Sequence, residues 1–202
     1  MRKHIGLFFI ILALLPGCDR SSIPLPRLVI NEVMARNESF SDFETNGLPL
    51  DWVEIYNPND KPLRLEGYTL SDNIERSGKY RFPPNLTIEP GGFVLVTLVG
   101  GNDLAAAQAA REEQGSVEVV LTALHADFGL NAARDSIFLF ANGRQIDRVG
   151  VRNLSADSSV GRFPDGADSI ATSFAPTPGF SNNPHGALQP RFAAGGQPQP
   201  SL

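Results

Sequence analysis

The sequence predicts an all-β fold, because short apolar runs recur at near-regular spacing and turn-forming residues separate them. No alternation of helical and strand patterns competes with this interpretation. An antiparallel sandwich or barrel is therefore favoured over a parallel α/β fold. The predicted strands lie at residues 28–30, 51–56, 63–70, 79–82, 86–88, 93–99, 117–121, 136–140, 145–151 and 160–163.

The segments between these runs supply the backbone conformations that turns require. Gly and Asn allow positive φ, and Pro presets φ. The strongest signal is Asn142-Gly143, which stands between two apolar runs and predicts a tight hairpin turn. Further turn segments are residues 57–60, 83–85 and 89–92.

One segment departs from the strand pattern. Residues 103–114 are rich in good helix formers, with Asn102 or Asp103 as an N-cap and Gly115 as a stop. The segment offers little apolar surface beyond Leu104 and its alanines. We therefore expect a short surface helix inserted in a loop.

The amino terminus has the pattern of a secretory signal peptide, with a basic start and an apolar run over residues 5–15. The run is shorter than the roughly 20 residues that a membrane-spanning helix needs. It ends in Leu-Pro-Gly before Cys18, the single cysteine of the chain, and so resembles a bacterial lipobox. This resemblance implies cleavage before Cys18 and fatty acylation at that residue. An ordinary cleaved signal and a retained membrane anchor are the alternatives.

Composition limits the function classes. The formal net charge is −5 for the whole chain, and loss of the two basic leader residues Arg2 and Lys3 would make it −7. A nucleic-acid binder presents a basic surface to phosphates, so this balance argues against that class of partner. One cysteine excludes an internal disulfide framework.

Six motifs occur in the order in which one protein family carries them. They are residues 28–35 (LVINEVMA), 51–57 (DWVEIYN), 65–72 (LEGYTLSD), 88–92 (IEPGG), 159–166 (SVGRFPDG) and 175–182 (APTPGFSN). The chain resembles a bacterial lamin-tail domain from about Leu28 to Asn183.

The resemblance implies an immunoglobulin-like β-sandwich that acts as a binding or attachment module, with no agreed set of catalytic residues. No sustained heptad pattern accompanies it, so a filament-forming rod is not expected. The expected organisation is a signal peptide at 1–17, a lipidated cysteine and tether at 18–26, the sandwich at 27–183 and a disordered tail at 184–202.

Few residues suit catalysis or metal binding. His125 and Asp127 fall in a predicted loop with poor spacing for a metal pair, and no nucleophile motif or free thiol is present. We expect no catalytic residue and no required cofactor. A carboxylate cluster at one end of the sandwich is an alternative that would suit Ca²⁺, and its candidates are Glu32, Asp51, Glu54 and Asp72.

The strand at 51–56 suggests a binding surface. If Val53 and Ile55 face the core, strand alternation places Trp52, Glu54 and Tyr56 on the opposite face. Aromatic residues rimmed by charge are typical of recognition surfaces. The alternative is that Trp52 packs beneath a loop.

Three function classes follow from these observations. The leading hypothesis is a non-enzymatic lipoprotein that binds a partner in the cell envelope, with the membrane, an envelope protein or a polysaccharide as partners. A metal-dependent secreted hydrolase and a structural accessory subunit are the alternatives. Asp19 after the lipidated cysteine favours the periplasmic face of the inner membrane over the outer membrane, by the enterobacterial rule.

Overall fold

A computed structural model describes residues 26–39, 48–100 and 124–183. Cys18 with its leader, the predicted helix at 103–114, the run at 117–121 and the tail from 184 onward lie outside these ranges. The described residues contain no helix, and none of them forms an apolar span that could cross a membrane.

The described residues form an all-β structure, as the sequence predicts. Its strands are β1 (Val29–Met34), β2 (Asp51–Tyr56), β3 (Leu63–Arg64), β4 (Tyr68–Ser71), β5 (Tyr80–Arg81), β6 (Thr87–Ile88), β7 (Phe93–Leu98), β8 (His125–Ala126), β9 (Arg134–Ala141), β10 (Arg144–Arg152), β11 (Ser159–Arg162) and β12 (Ile170–Phe174).

The strands form two main sheets. The larger sheet has the order β12-β11-β1-β2-β7-β8, and the smaller has the order β10-β9-β4-β5. A two-stranded ribbon of β3 and β6 accompanies them. All pairings between the described strands are antiparallel except the short β7–β8 pair, so the architecture is the antiparallel sandwich that the sequence predicts.

The core lies between the sheets and follows strand alternation. Val53 and Ile55 of β2 stand opposite Val96 and Val94 of β7 in the register of the larger sheet. All belong to one buried cluster, which the smaller sheet completes with Leu70, Ile137, Leu139, Val149 and Val151.

A bulge in β1 sets the local geometry around Asn31 and Glu32. Ile30 pairs with Ile55 and Glu32 pairs with Glu54, so Asn31 is the extra residue. A bulge redirects the side chains around it and bends the strand. Asn31 and Glu32 are both fully buried.

The Asn-Gly hairpin is confirmed. Asn142 and Gly143 have φ of 51° and 80° and connect β9 to β10. Positive φ at both central residues is the signature of a type I′ turn, which matches the twist of the flanking strands.

Two strands were not predicted, and one predicted run is divided. β8 contains only two residues, and His125, assigned to a loop, belongs to it. β12 is an edge strand with the sequence IATSF, in which small and polar residues make the apolar signal weak. Gly67, with φ of 82°, separates the predicted strand at 63–70 into β3 and β4.

Gly161 allows β11 to lie close against β1. It pairs with Glu32, and an added Cβ atom would lie 2.9 Å from the Glu32 Cα and closer still to the Asn31 carbonyl oxygen. Both are backbone atoms, so relief requires the strands to move apart. We expect Gly161→Ala to lower the free energy of unfolding by about 1–3 kcal/mol in urea denaturation.

Gly150→Ala in β10 is the matched control. Its Cβ would make ordinary contacts, at 3.9 Å from the Ser136 Oγ, and we expect no loss of stability. Equal destabilisation by the two substitutions would show that the close approach of β11 to β1 is not the cause of the loss.

Candidate functional site

The outer face of β2 is covered, so the predicted binding surface of Trp52, Glu54 and Tyr56 is wrong as an exposed patch. Trp52 and Glu54 are both fully buried, and Tyr56 is half-buried. Trp52 packs with Met34 and Leu95 in a second, smaller cluster. The ring centroids of Tyr56 and Phe93 lie 5.0 Å apart.

The chain segment after β12 supplies part of this cover. The backbone N–H of Gly179 donates to Glu54 Oε2 at 2.6 Å, and that of Thr177 donates to Glu32 Oε1 at 3.0 Å. Residues 175–182 therefore run against the face of β1 and β2 that points away from the core.

Two glutamates face each other beneath this segment. Glu32 and Glu54 are cross-strand partners of β1 and β2, and neither side chain is exposed. Buried carboxylates are stable only where hydrogen bonds or opposite charges compensate for the lost hydration. Here the compensation comes mainly from backbone and side-chain donors.

Every carboxylate oxygen of the pair accepts a hydrogen bond. Glu32 Oε2 accepts from the Thr177 hydroxyl at 2.8 Å, in addition to the Thr177 amide on Oε1. Glu54 Oε1 accepts from Asn31 Nδ2 at 3.1 Å, in addition to the Gly179 amide on Oε2.

Asn31 extends the network to the turn after β11. Its Nδ2 also donates to Asp165 Oδ1 at 3.0 Å, and its Oδ1 accepts from the Gly166 amide at 3.1 Å. Asp165 in turn accepts from the Asn182 amide at 2.9 Å and from the Ser181 hydroxyl. We call this set the carboxylate network; its members are Asn31, Glu32, Glu54, Asp165, Thr177, Gly179, Ser181 and Asn182.

Burial changes the acidity of both glutamates. It raises the pKa of Glu32 from 4.5 to about 7, although hydrogen bonds from Ser159 and Thr177 oppose the rise. It raises the pKa of Glu54 well above 4.5, and the negative charge of Glu32 adds to that rise. The pair therefore keeps a proton at pH values where an exposed glutamate is fully ionised.

A second buried ionic group contacts Ile30, the residue that precedes the β1 bulge. Arg162 donates from Nη2 to Asp147 Oδ1 at 2.7 Å, and the two side chains are only 8% and 12% exposed. Arg162 Nε also donates to the Ile30 carbonyl at 3.0 Å, and Nη1 donates to the Ala167 carbonyl. The guanidinium thus joins β10, β1 and the turn after β11.

The predicted metal cluster of Glu32, Asp51, Glu54 and Asp72 is not assembled. Asp51 accepts from the Asn37 amide at 2.9 Å at the start of β2. Asp72 follows β4 in the other sheet, where it pairs with Lys79. Only Glu32 and Glu54 lie together, and no group of three or more metal-binding side chains occurs within the described ranges.

The geometry favours a structural role for the carboxylate network. Raised pKa values are typical of catalytic acids as well as of buried structural groups. A catalytic carboxyl must contact a substrate, whereas Glu32 and Glu54 are 0% exposed and are bound internally through all four oxygens. Substrate contact would require displacement of residues 175–182.

Sequence reasoning identified some members of this network and missed others. The sequence presents Glu32, Glu54 and the 175–182 motif as separate features, and nothing in it pairs them. Asp165 and Arg162 lie in the motif at 159–166, which contributes to the family resemblance but carries no signal of a site. Arg162 is a charged residue at the end of a run that predicts a buried strand. This position was the available signal that Arg162 has a structural role.

Comparison with known proteins agrees with the fold. A model of the Lamin Tail Domain family matches residues 22–153, well over half of the chain. β11 and β12 follow the matched range, but they belong to the six-stranded sheet that also contains β1, β2 and β7 from within the range. A search among curated proteins found no match. The chain belongs to the Lamin Tail Domain family.

Proposed function

We propose that this protein is a non-enzymatic, lipid-anchored binding or attachment module of the bacterial cell envelope. Membership of the Lamin Tail Domain family carries the proposal, because its immunoglobulin-like domains act as binding modules. An envelope protein or a polysaccharide is the proposed partner, together with the membrane that holds the anchor.

The carboxylate network supports a role without catalysis. The hydrolase alternative needs accessible carboxylates that gather around a divalent ion. Glu32 and Glu54 are buried and internally bonded, while Asp51 and Asp72 bind elsewhere. The side chains proposed for catalysis are thus engaged in holding the sandwich together.

The amino-terminal sequence supports the anchor. Leu15-Pro16-Gly17-Cys18 resembles a lipobox, and a short polar stretch joins it to the sandwich. One acyl chain alone binds a membrane only marginally, whereas several chains on one cysteine give durable attachment. Asp19 favours the periplasmic face of the inner membrane.

Replacement of Cys18 by serine tests the anchor. We expect the wild-type protein in the detergent phase of Triton phase partitioning and Cys18→Ser in the aqueous phase, because the acylated thiol is lost. Asp19→Ser is the matched control, since it leaves the cysteine in place and should stay in the detergent phase. Wild-type protein in the aqueous phase would contradict the proposal.

A further inference from the structure

A groove of about 350 Å³ lies on the outer face of the smaller sheet, where the loop after β4 approaches the β9–β10 hairpin. Its lining combines three arginines with apolar and hydroxyl groups: Arg134, Arg148, Arg152, Phe138, Ile74 and Ser136. Ile74 is 56% exposed, so its side chain offers apolar contact area to a ligand.

Strand register places the arginines around a gap. Arg152 pairs with Arg134, Gly150 with Ser136, and Arg148 with Phe138, so all three pairs share the outer face. Gly150 has no side chain, and an added Cβ would have room. Gly150 and the Ser136 hydroxyl therefore form the base of the gap between Arg148 and Arg152.

The three arginines repel one another when no ligand is bound. Like charges directly opposite each other in a sheet destabilise it, and Arg134 faces Arg152 in this way. Among the described residues, no carboxylate forms an ion pair with any of the three arginines. An anionic ligand would relieve this repulsion.

One arginine is already held in place for binding. Arg148 donates from Nε and Nη2 to the Ser136 hydroxyl at 3.2 and 2.9 Å, and its Cζ lies 5.6 Å from the centroid of the Phe138 ring. A guanidinium has five N–H groups, so three remain for a ligand. Little conformational freedom is lost when such a group binds a carboxylate.

The other groups in the groove narrow the class of ligand. Asp72 and Asp135 also line it, but Lys79 pairs with Asp72, and Asp135 accepts from two backbone amides. The charge of Asp135, with which no basic side chain of the described residues pairs, disfavours a densely charged phosphate polymer. A sugar acid offers the arginines one carboxylate per ring and places the apolar face of its ring against the exposed Ile74.

We propose that this groove binds an acidic polysaccharide through its uronate carboxylates. The proposal deepens the binding function above by naming the class of partner. Its test needs no membrane, so its outcome is independent of whether Cys18 carries a lipid.

Binding of polygalacturonate to the full-length protein in detergent, measured by calorimetry or biolayer interferometry, tests the proposal. We expect binding to weaken with added salt and to fall about tenfold or more in Arg134→Gln/Arg152→Gln, since charge-assisted hydrogen bonds to the ligand are lost. Gly150→Val, which fills the gap without changing charge, should also reduce binding at least tenfold.

The controls separate the groove from charge in general. Arg64→Gln/Arg144→Gln removes the same charge outside the groove and should leave binding unchanged. Fully methyl-esterified polygalacturonate keeps the sugar ring and should not bind. The proposal would be overturned by any of three results: no binding of polygalacturonate, equal binding of its methyl ester, or an equal loss of affinity in the control variant. Tighter binding of polyglutamate or DNA would overturn it in favour of another class of partner.

Discussion

Replacement of Arg162 by methionine is expected to lower the free energy of unfolding by about 3–5 kcal/mol, the range for breaking a buried ion pair. Methionine keeps much of the volume of the side chain but removes the guanidinium. Asp147 would lose its charge partner, and the carbonyls of Ile30 and Ala167 would lose their donors. Urea denaturation at neutral pH measures the change.

Arg36→Met is the matched control. Arg36 pairs with Glu38 on the surface, where both side chains are more than half exposed, and such pairs contribute at most about 1 kcal/mol. Asp147→Asn should lower the free energy of unfolding less in the Arg162→Met variant than in the wild-type protein. In that variant Asp147 has already lost its charge partner, so its replacement breaks no ion pair. Similar losses for Arg162→Met and Arg36→Met would contradict the assignment of Arg162 as a buried junction.

The protein is expected to be more stable at about pH 5 than at about pH 8. A carboxyl whose pKa is raised by folding binds its proton more tightly in the folded state. The protonated carboxyl therefore contributes fully to the stability of the folded protein below the unfolded pKa of 4.5. For Glu32 this contribution is lost as the pH rises through about 7. The rise of the Glu32 pKa corresponds to a loss on the order of 3 kcal/mol at alkaline pH, and Glu54 acts in the same direction.

Glu54→Gln isolates the carboxylate pair. It keeps the shape of the side chain and removes one of the two groups that titrate, so the loss of stability between about pH 5 and pH 8 should become smaller. Glu66→Gln is the control, because Glu66 is a surface residue whose side chain is 67% exposed. Unfolding midpoints that rise with pH in the wild-type protein would contradict the prediction.

The local features of the fold were predictable because local physics determines them. Asn142-Gly143 specifies a turn through its own backbone preferences. The alternation in β2 correctly put Val53 and Ile55 together on one face, and that face is the core face in the structure. β8 was not predictable in the same way, because two residues carry no periodic signal. Its identity as a strand depends on pairing with β7.

The candidate site was predicted in part, and the error at Trp52 has a clear physical origin. Alternation placed Trp52 and Glu54 on the face away from the core, which is correct. Alternation carries no information about what covers that face. Part of the cover comes from Thr177 and Gly179, more than a hundred residues along the chain, and such contacts leave no trace in the local pattern.

The metal hypothesis failed for a related reason. Glu32 and Glu54 are indeed neighbours, but Asp51 and Asp72 lie at strand ends that the topology takes to different sheets. Asp165, which completes the network, stands in a turn more than a hundred residues from Glu54 in sequence. Its position depends on β11 pairing with β1.

The central claim is that Glu32 and Glu54 form a buried structural pair that binds residues 175–182 and no metal ion. Carboxyl titration by NMR, with ¹³C-labelled glutamate and assignment through Glu54→Gln, tests it most directly. The account predicts that Glu32 titrates at about pH 7, that Glu54 titrates well above 4.5, and that millimolar calcium changes neither curve. Titration of both carboxyls near 4.5, or a calcium-dependent fall in either pKa, would contradict it.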